Sequence, residues 1–283
     1  MHKLQEWNIH WLLNPMSSPF ILLWKYRSLI WATVRNDLQS RVINSILGLA
    51  WIAVYPLLLL LVYAIVYFNV YHRIARPEVL GIQMASLSSV EYIVFIFCGL
   101  IPFLSFTESI TAGVTSLTNN AHLIKNTLFP VELVPVKTVL VAQFTQGVCM
   151  SLLLLAIIAI GSISPYVLWI LPVWLCQVLF LLGLVWFLSC INIVLRDCQH
   201  LMSILLLCLM LISPIAIPMD ELPAICRILN PLNYIILCLR DCVLFAQPPK
   251  LENLITLGLM SGIMFYVGYW MITQTKILLS DNL

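Results

Sequence analysis

The ionisable residues that could do chemistry in this chain are few and far apart. Glu108 is the candidate acid inside an apolar run, and no cationic residue stands near it in sequence to complete an acid–base pair. Arg196 and Asp197 are adjacent and fit a loop salt bridge or a contact point better than a catalytic pair. The histidines show no metal-ligand spacing; they are His2, His10, His72, His122 and His200. We therefore predict no catalytic residue, no metal site and no cofactor bound by this chain.

The chain also lacks the loop with which many ATPases hold phosphate groups. No G-x-x-x-x-G-K-[ST] pattern occurs, so we expect any ATP to be hydrolysed by another protein. The net charge of +2 and the lack of a basic block argue against a nucleic-acid partner. One enzymatic alternative stays open, a membrane-embedded transferase acting on lipid-linked sugars. It requires Glu108 to lie beside Asp197 or His200 in space.

The elements that must position these residues are long apolar helices. Hydrophobic residues make up 62% of the chain and charged residues 9%, against about 25% charged residues in soluble domains. A helix needs about 20 apolar residues to cross the bilayer core. The runs that meet this need are residues 44–71, 92–114, 137–161, 167–195, 201–218 and 254–273. None alternates as barrel strands do, so we predict an all-α integral membrane protein with six transmembrane helices in residues 44–283.

Lysine and arginine are distributed unequally between the two sides of such a bundle. Six spans put both termini on one side, and positive charge favours the cytoplasm. On the terminal side stand Lys3, Lys25, Arg27, Arg35, Arg41, Lys125, Lys137, Arg196 and Lys276. On the other side stand Arg73, Arg76, Arg227, Arg240 and Lys250. We therefore predict a multi-pass protein of the cytoplasmic (inner) membrane with both termini in the cytoplasm.

A polar segment, residues 119–135, joins the second and third runs. It contains lysine and histidine and ends in two prolines, so it must lie outside the bilayer. The charge distribution places it in the cytoplasm. A segment that connects two spans can pass force to a partner in the water, so the function of the chain depends on what this segment contacts.

The segment before the first span, residues 24–43, is too charged to cross and is predicted to be an amphipathic interfacial helix. Residues 1–23 precede it as an N-terminal cytoplasmic segment. The apolar face of the helix is formed by Trp24, Trp31, Val34, Leu38 and Val42. Such a helix could only orient the first span, or it could also form part of a docking surface for a cytoplasmic partner.

Four prolines divide the region between the fifth and sixth runs. The two apolar pieces there, residues 221–229 and 232–245, are each too short to cross the bilayer. They suit a re-entrant outer hairpin, which is tolerated at membrane depth where protein or a water-filled cavity covers the broken backbone. The alternative is a pair of amphipathic helices lying on the outer surface.

Several short motifs follow one another in a recognisable order. They are VRNDLQSR at 34–41, LGLAW at 47–51, YPL at 55–57, CGLIPF at 98–103, NAHLIK at 120–125 with FP at 129–130, NIVLRDCQH at 192–200, ISPI at 212–215 and LNPL at 229–232. In this order they resemble the membrane subunit of type-two ABC exporters for cell-surface polysaccharides, the branch that exports O-antigens, teichoic acids and some capsules. The resemblance runs from about residue 19 to the last span. Loop 71–91 departs from it because it is long, and residues 274–283 depart because they lack a charged ending.

The resemblance implies a homodimer of six-span subunits, each bound to a separate cytoplasmic ABC ATPase subunit that binds ATP and Mg. The coupling helix would fall on residues 119–129 and dock on that ATPase through Asn119, Asn120, His122, Leu123, Ile124, Lys125, Phe129 and Pro130. Residues 24–43 would be the interface helix, with contacts from Trp31, Arg35, Asp37 and Arg41. Arg196 and Asp197 would form a further inner loop contact, and residues 221–245 the outer hairpin.

The resemblance further implies a channel between the two subunits for a glycan attached to a lipid diphosphate. Aromatic rings with polar groups could offer sugars a sliding surface. Candidate lining residues are Tyr55, Tyr63, Tyr67, Trp174 and Phe180, although each could instead pack between helices or lie in an interfacial belt. Rival functions are a related ABC permease for drugs or lipids, and a passive channel or secondary transporter that runs without nucleotide.

Overall fold

A computed structural model describes residues 19–43, 48–66, 89–120, 130–161, 163–215, 228 and 230–282. Over these ranges the chain is helical and has no strand. In chain order the helices are α1 (Pro19–Lys25), α2 (Arg27–Ile43), α3 (Trp51–Val66), α4 (Ser89–Val114), α5 (Ser116–Asn119), α6 (Leu133–Ile160), α7 (Ile170–Val194), α8 (Cys198–Ile212), α9 (Pro231–Val243) and α10 (Leu251–Asn282). Short 3-10 turns at Gly48–Ala50 and Pro165–Trp169 precede α3 and α7.

Among the described helices, four are long and apolar enough to cross a bilayer. They are Val90–Val114 in α4, Leu133–Ala159 in α6, Pro165–Val194 through α7, and Leu251–Thr275 in α10. These helices confirm the predicted all-α membrane class. The described parts of the first and fifth predicted spans, α3 and α8, have 16 and 15 residues, so the total of six spans stays a prediction.

α4 forms the centre of the bundle. Its most apolar stretch is 78% buried within the chain, against 33% for that of α10. It contacts α3, α6, α7, α8 and α9, while α10 packs mainly along α7. The end of the bundle near α5 is called below the α5 end, and the opposite end the α9 end.

α7 and α10 approach each other more closely than side chains would allow. A Cβ atom added at Gly268 would overlap the backbone of Gly183. Small residues permit this kind of backbone contact between membrane helices. Next to it, the Trp186 ring lies 5.4 Å from the ring centroid of Phe265 and 5.6 Å from that of Tyr269. Backbone contact and aromatic packing together join α7 and α10 into one pair.

α6 begins earlier than the hydropathy pattern predicts. The predicted span starts at residue 137, whereas the helix starts at Leu133 and includes Pro135 in its first turn. Proline is tolerated there because a first-turn N–H has no partner within the helix. Leu133 and Val134 are buried. The predicted polar segment 119–135 is therefore too long at its end, because its last residues are helical and packed.

Other boundaries also differ from the predicted runs. The first run begins at residue 44, but α3 begins at Trp51, after a turn in which Gly48 has φ of 50°. The fifth run extends to residue 218, but α8 ends at Ile212, where Ser213 is extended before Pro214. The last run ends at residue 273, whereas α10 continues to Asn282.

The second piece of the predicted outer hairpin is α9; residues 221–227 and 229, in the first piece, lie outside the described residues. α9 is largely buried and contacts α4, α7 and α10. Arg240 in this helix is 2% exposed, and its guanidinium donates to the carbonyls of Phe95 (3.2 and 3.3 Å) and Ile215 (2.9 Å). Its charge was counted among those of an aqueous loop, whereas the side chain lies between helices.

Candidate functional site

The described ends of the polar segment lie close to the bundle. α5 follows α4 after the single residue Thr115, and Asn120 caps it. Asn119 Nδ2 donates to Thr115 Oγ1 (3.1 Å), and Asn120 Nδ2 donates to the Ser116 carbonyl (2.8 Å). We call residues 115–120 and 130–137 the coupling root; it includes Pro130, which is half-buried. The residues between lie outside the described part of the chain: they include His122, Leu123, Ile124, Lys125 and Phe129.

One helix, α7, is bonded to both halves of the coupling root. The Trp186 indole N–H donates to the Glu132 carbonyl (2.9 Å), and Trp186 is fully buried. Six residues further along, Asn192 Nδ2 donates to Thr118 Oγ1 (3.5 Å). The chain therefore leaves the bundle and returns to it beside the same helix.

The helix before the first span is joined to the same root. Asp37 of α2 forms an ion pair with Lys137 in the second turn of α6, with an Nζ–Oδ2 distance of 2.9 Å. Ile30 and Val34 anchor α2 in the core, while Trp31 is 64% exposed. The predicted interface helix is therefore a helix in contact with the root.

The other predicted contacts of this region are exposed or outside the description. Arg35 is exposed on α2, and the side chain of Arg41 is outside the described part. Arg196 and Asp197 are exposed in the turn between α7 and α8. Both are described, yet no ion pair joins them; the Asp197 carbonyl instead accepts from the backbone N–H of Leu201 (3.1 Å). The loop salt bridge is thus not formed, and the contact-point interpretation stays a prediction.

The residues that would revive an enzymatic function do not converge on the cleft at the α5 end. This cleft lies between the end of α4 and the start of α8, and His200 is among its lining residues. Glu108, half-buried one turn before Thr111, and Asp197 do not line it. The grouping that a transferase would require is therefore not seen there.

The predicted channel-lining aromatics have different environments. Tyr55 is 55% exposed, Tyr63 and Trp174 are half-buried, and Tyr67 lies outside the described residues. Phe180 is buried, with its ring 6.2 Å from that of Phe106. Tyr55 is thus accessible in a single copy of the chain, whereas Phe180 faces the interior of the bundle. Their role in a channel stays a prediction.

A buried amide network in the bundle was missed by the sequence analysis. Gln146 and Gln177 exchange two hydrogen bonds of 2.9 Å between α6 and α7, and Gln177 also donates to the Pro102 carbonyl of α4 (3.3 Å). Gln143 donates to Ser105 Oγ (2.9 Å) and accepts from Trp174 Nε1 (2.6 Å). These bonds tie together three of the long apolar helices.

A usable sequence signal for this network existed. Gln143 and Gln146 stand three residues apart in an apolar run, and therefore on one helical face. Gln177 stands in the next run. Polar side chains in membrane helices need partners, so the three glutamines could have been predicted to meet.

Long apolar helices, close glycine contacts and a buried polar network define a multi-pass helical membrane protein. The family model described as ABC-2 type transporter matches residues 28–244. Because this match covers most of the sequence, the chain belongs to the ABC-2 type transporter family.

Individual relatives are also similar over most of their length. The chain is 26% identical to the O-antigen export system permease protein RfbA of Myxococcus xanthus, over 87% of this chain and 92% of that protein. It is 26% identical to a protein of the same description from Klebsiella pneumoniae, over 73% of this chain and 76% of that protein. These similarities agree with the family resemblance found from the motifs.

Proposed function

We propose that this chain is the permease subunit of an ATP-driven exporter that moves lipid-linked polysaccharide across the cytoplasmic membrane. The observation that carries the proposal is the family match together with relatives described as O-antigen export permeases. In this proposal α3 and α8 complete six spans. Two copies of the chain enclose the channel, and a separate ATPase subunit binds ATP and Mg.

The coupling root supports a mechanical connection to that ATPase. Residues 119–129 would dock on the ATPase, and its closure would push on them. Because α7 is bonded to Glu132 and Thr118, displacement of the segment would load α7. The ion pair of Asp37 with Lys137 would carry part of the same load to α2. A coupling energy of about 1–3 kcal/mol is typical of such connections and requires only a few packed side chains.

The physics of the substrate favours a protein-lined path. Each unsatisfied hydroxyl costs several kcal/mol in hydrocarbon, so a glycan cannot cross the lipid itself. Side-chain hydroxyls, amides and aromatic rings can replace water along a channel. A passage between two subunits supplies such a surface without opening the core of either bundle.

The docking assignment can be tested with the double variant Leu123→Ala/Ile124→Ala. We expect normal membrane insertion and loss of substrate-stimulated ATP hydrolysis, because the apolar contacts of the coupling helix are removed. The control is Leu155→Ala/Ile158→Ala, which truncates two exposed apolar side chains near the other end of α6. Unchanged ATP turnover and export in the first double variant would refute docking through this segment.

The same reconstituted complex distinguishes the rival functions. An ABC permease for drugs or lipids would use the same ATPase but would transport a fluorescent phospholipid or drug in place of the lipid-linked glycan. A passive channel or secondary transporter would conduct in liposomes without any ATPase. A transferase would change the chemical structure of the lipid-linked sugar, which mass spectrometry detects.

A further inference from the structure

A cleft opens between the last turns of α4 and the first turns of α8, at the α5 end of the bundle. Its volume is about 320 Å³, at the lower limit of the roughly 300–1,000 Å³ found for small-molecule sites. Its lining residues are Thr111, Val114, Thr115, Gln199, His200, Met202 and Ser203. None of the residues proposed above for ATPase docking lines this cleft.

The polar groups of the cleft are hydroxyl, amide and imidazole groups. The Thr111 hydroxyl donates to the Thr107 carbonyl (2.8 Å), and the Ser203 hydroxyl donates to the Gln199 carbonyl (3.1 Å). Both hydroxyl oxygens therefore keep lone pairs to accept hydrogen bonds. Gln199 and His200 add side chains that can donate as well as accept. No Lys, Arg, Asp or Glu is among the lining residues.

This chemistry fits a sugar ring. Ring hydroxyls need neutral donors and acceptors together, which the cleft supplies from both helices. Val114 and Met202 provide apolar contact for the C–H face of a ring. A free phosphate or an anionic head group alone would instead favour arginine, lysine or several backbone N–H groups.

The surface next to the cleft is apolar. Beyond the lining residues, α8 exposes Leu201, Ile204, Leu205, Leu207 and Leu211. Ser203, Leu207 and Leu211 follow one another at intervals of four residues, so one face of the helix changes from polar to apolar along its length. A ligand with a sugar at one end and a long hydrocarbon chain at the other matches this order.

We propose that the cleft holds the lipid-proximal sugar of the lipid-linked glycan, with the hydrocarbon chain lying along the exposed face of α8. The inference rests on the proposed function and names where its substrate is first held. Thr111 and Ser203 accept hydrogen bonds from the sugar hydroxyls, and Gln199 and His200 complete the polar contacts.

The test uses the whole permease–ATPase complex in proteoliposomes of phosphatidylethanolamine and phosphatidylglycerol. The photoreactive residue p-benzoylphenylalanine replaces Ser203 in one variant and Ile204 in another. Ile204 is the matched control because it is 62% exposed on α8 but does not line the cleft. The probe is a polyprenyl diphosphate that carries one radiolabelled N-acetylhexosamine. We expect labelling at position 203 to be about tenfold that at position 204, and to persist in excess unlabelled phosphatidylglycerol.

Three results would overturn the assignment, and they are distinguishable. Equal labelling at the two positions, in a complex that still exports the glycan, rejects the cleft but keeps the exporter. Loss of label to excess phosphatidylglycerol assigns the cleft to bulk lipid. A wild-type complex that neither exports the glycan nor hydrolyses ATP in response to it rejects the proposed function and the inference together.

A kinetic measurement gives independent support without a bulky reporter. Ser203→Ala removes one exposed hydroxyl, and we expect about a fivefold rise in the probe concentration that half-maximally stimulates ATP hydrolysis. Basal ATP hydrolysis is expected to stay the same. An unchanged half-maximal concentration in both Ser203→Ala and Thr111→Val would contradict sugar binding by these hydroxyls.

Discussion

Arg240 shows how one side chain can hold an irregular end of a membrane bundle together. Its guanidinium reaches across to α4 at Phe95 and to the residues after α8 at Ile215. Its carbon Cζ lies 3.3 Å from the ring centroid of Phe95. Gly99 leaves room for this contact, since a Cβ there would lie 3.0 Å from Ile215 Cα. Carbonyl groups freed where helices end are thereby satisfied by protein, as burial away from water requires.

Replacing this side chain with an apolar one should weaken the bundle. Arg240→Met removes all three hydrogen bonds while keeping much of the volume. We expect the free energy of unfolding to fall by about 2 kcal/mol or more, because bonds from a charged donor are lost and carbonyls stay buried. The measurement is thermal unfolding in detergent, with Arg196→Met as the exposed control. Equal transition temperatures for the two variants would contradict this role.

The glutamine network belongs to the same scale but could be foreseen only in part. The sequence shows three amides in apolar runs, yet it does not show that Gln177 also reaches the Pro102 carbonyl on a third helix. That bond depends on the rotation of α4 relative to α7, which the packing of the bundle sets. Likewise, a count of positive charges treats Arg240 as an aqueous residue, because burial of a charge depends on partners distant in sequence.

At the scale of elements, α2 and α6 are linked by a partly exposed ion pair whose position matters more than its energy. Exposed pairs contribute about 0–1 kcal/mol to stability. The Asp37–Lys137 pair joins the helix before the first span to the helix that follows the coupling segment. It therefore connects two elements that would both be near a docked ATPase.

Exchanging the charges tests this connection. Asp37→Lys or Lys137→Asp should lower the rate of ATP-driven export by up to about fivefold, the change that 1 kcal/mol can produce. The double variant Asp37→Lys/Lys137→Asp should restore export, since the pair is re-formed in reverse. Gln39→Lys adds a charge at an exposed site on the same helix and serves as control. If the double variant exports no better than the worse single variant, the pair does not act as a link.

Hydropathy predicted α4, α6, α7 and α10 well because long apolar helices are determined by the bilayer and little else. It failed at the start of α6, where Leu133 and Val134 are buried by tertiary packing beside a polar segment. It also extended the fifth span through Pro214, because an apolar window does not register a helix end. The ends of elements and the residues of the coupling root depend on contacts between helices, which composition does not contain.

At the scale of the whole molecule, α10 has little burial of its own and depends on α7. The overlap that a Cβ at Gly268 would make with Gly183 shows that the two backbones are in contact. The same helix carries Gly262, where an added Cβ would meet nothing within 4 Å. The two glycines are therefore a matched pair of sites.

We expect Gly268→Ala and Gly262→Ala to have opposite effects on stability. Gly268→Ala forces the helices apart and should cost about 1–3 kcal/mol, as overpacking generally does. Gly262→Ala should stabilise the helix by about 0.5–1 kcal/mol, because alanine has less backbone freedom to lose. Thermal unfolding of both variants in detergent measures the difference. A Gly268→Ala protein as stable as the wild type would show that α10 is not held by this backbone contact.

The two attachments of α7 to the coupling root have a mechanical consequence. Trp186 and Asn192 are six residues apart, about 9 Å along a helix axis. A single attachment would act as a swivel, and a force on the segment could rotate it without turning the helix. Two attachments fix its orientation as well as its position, so the same force would exert a torque on α7. Because α10 is held against α7, both helices would tilt as one body.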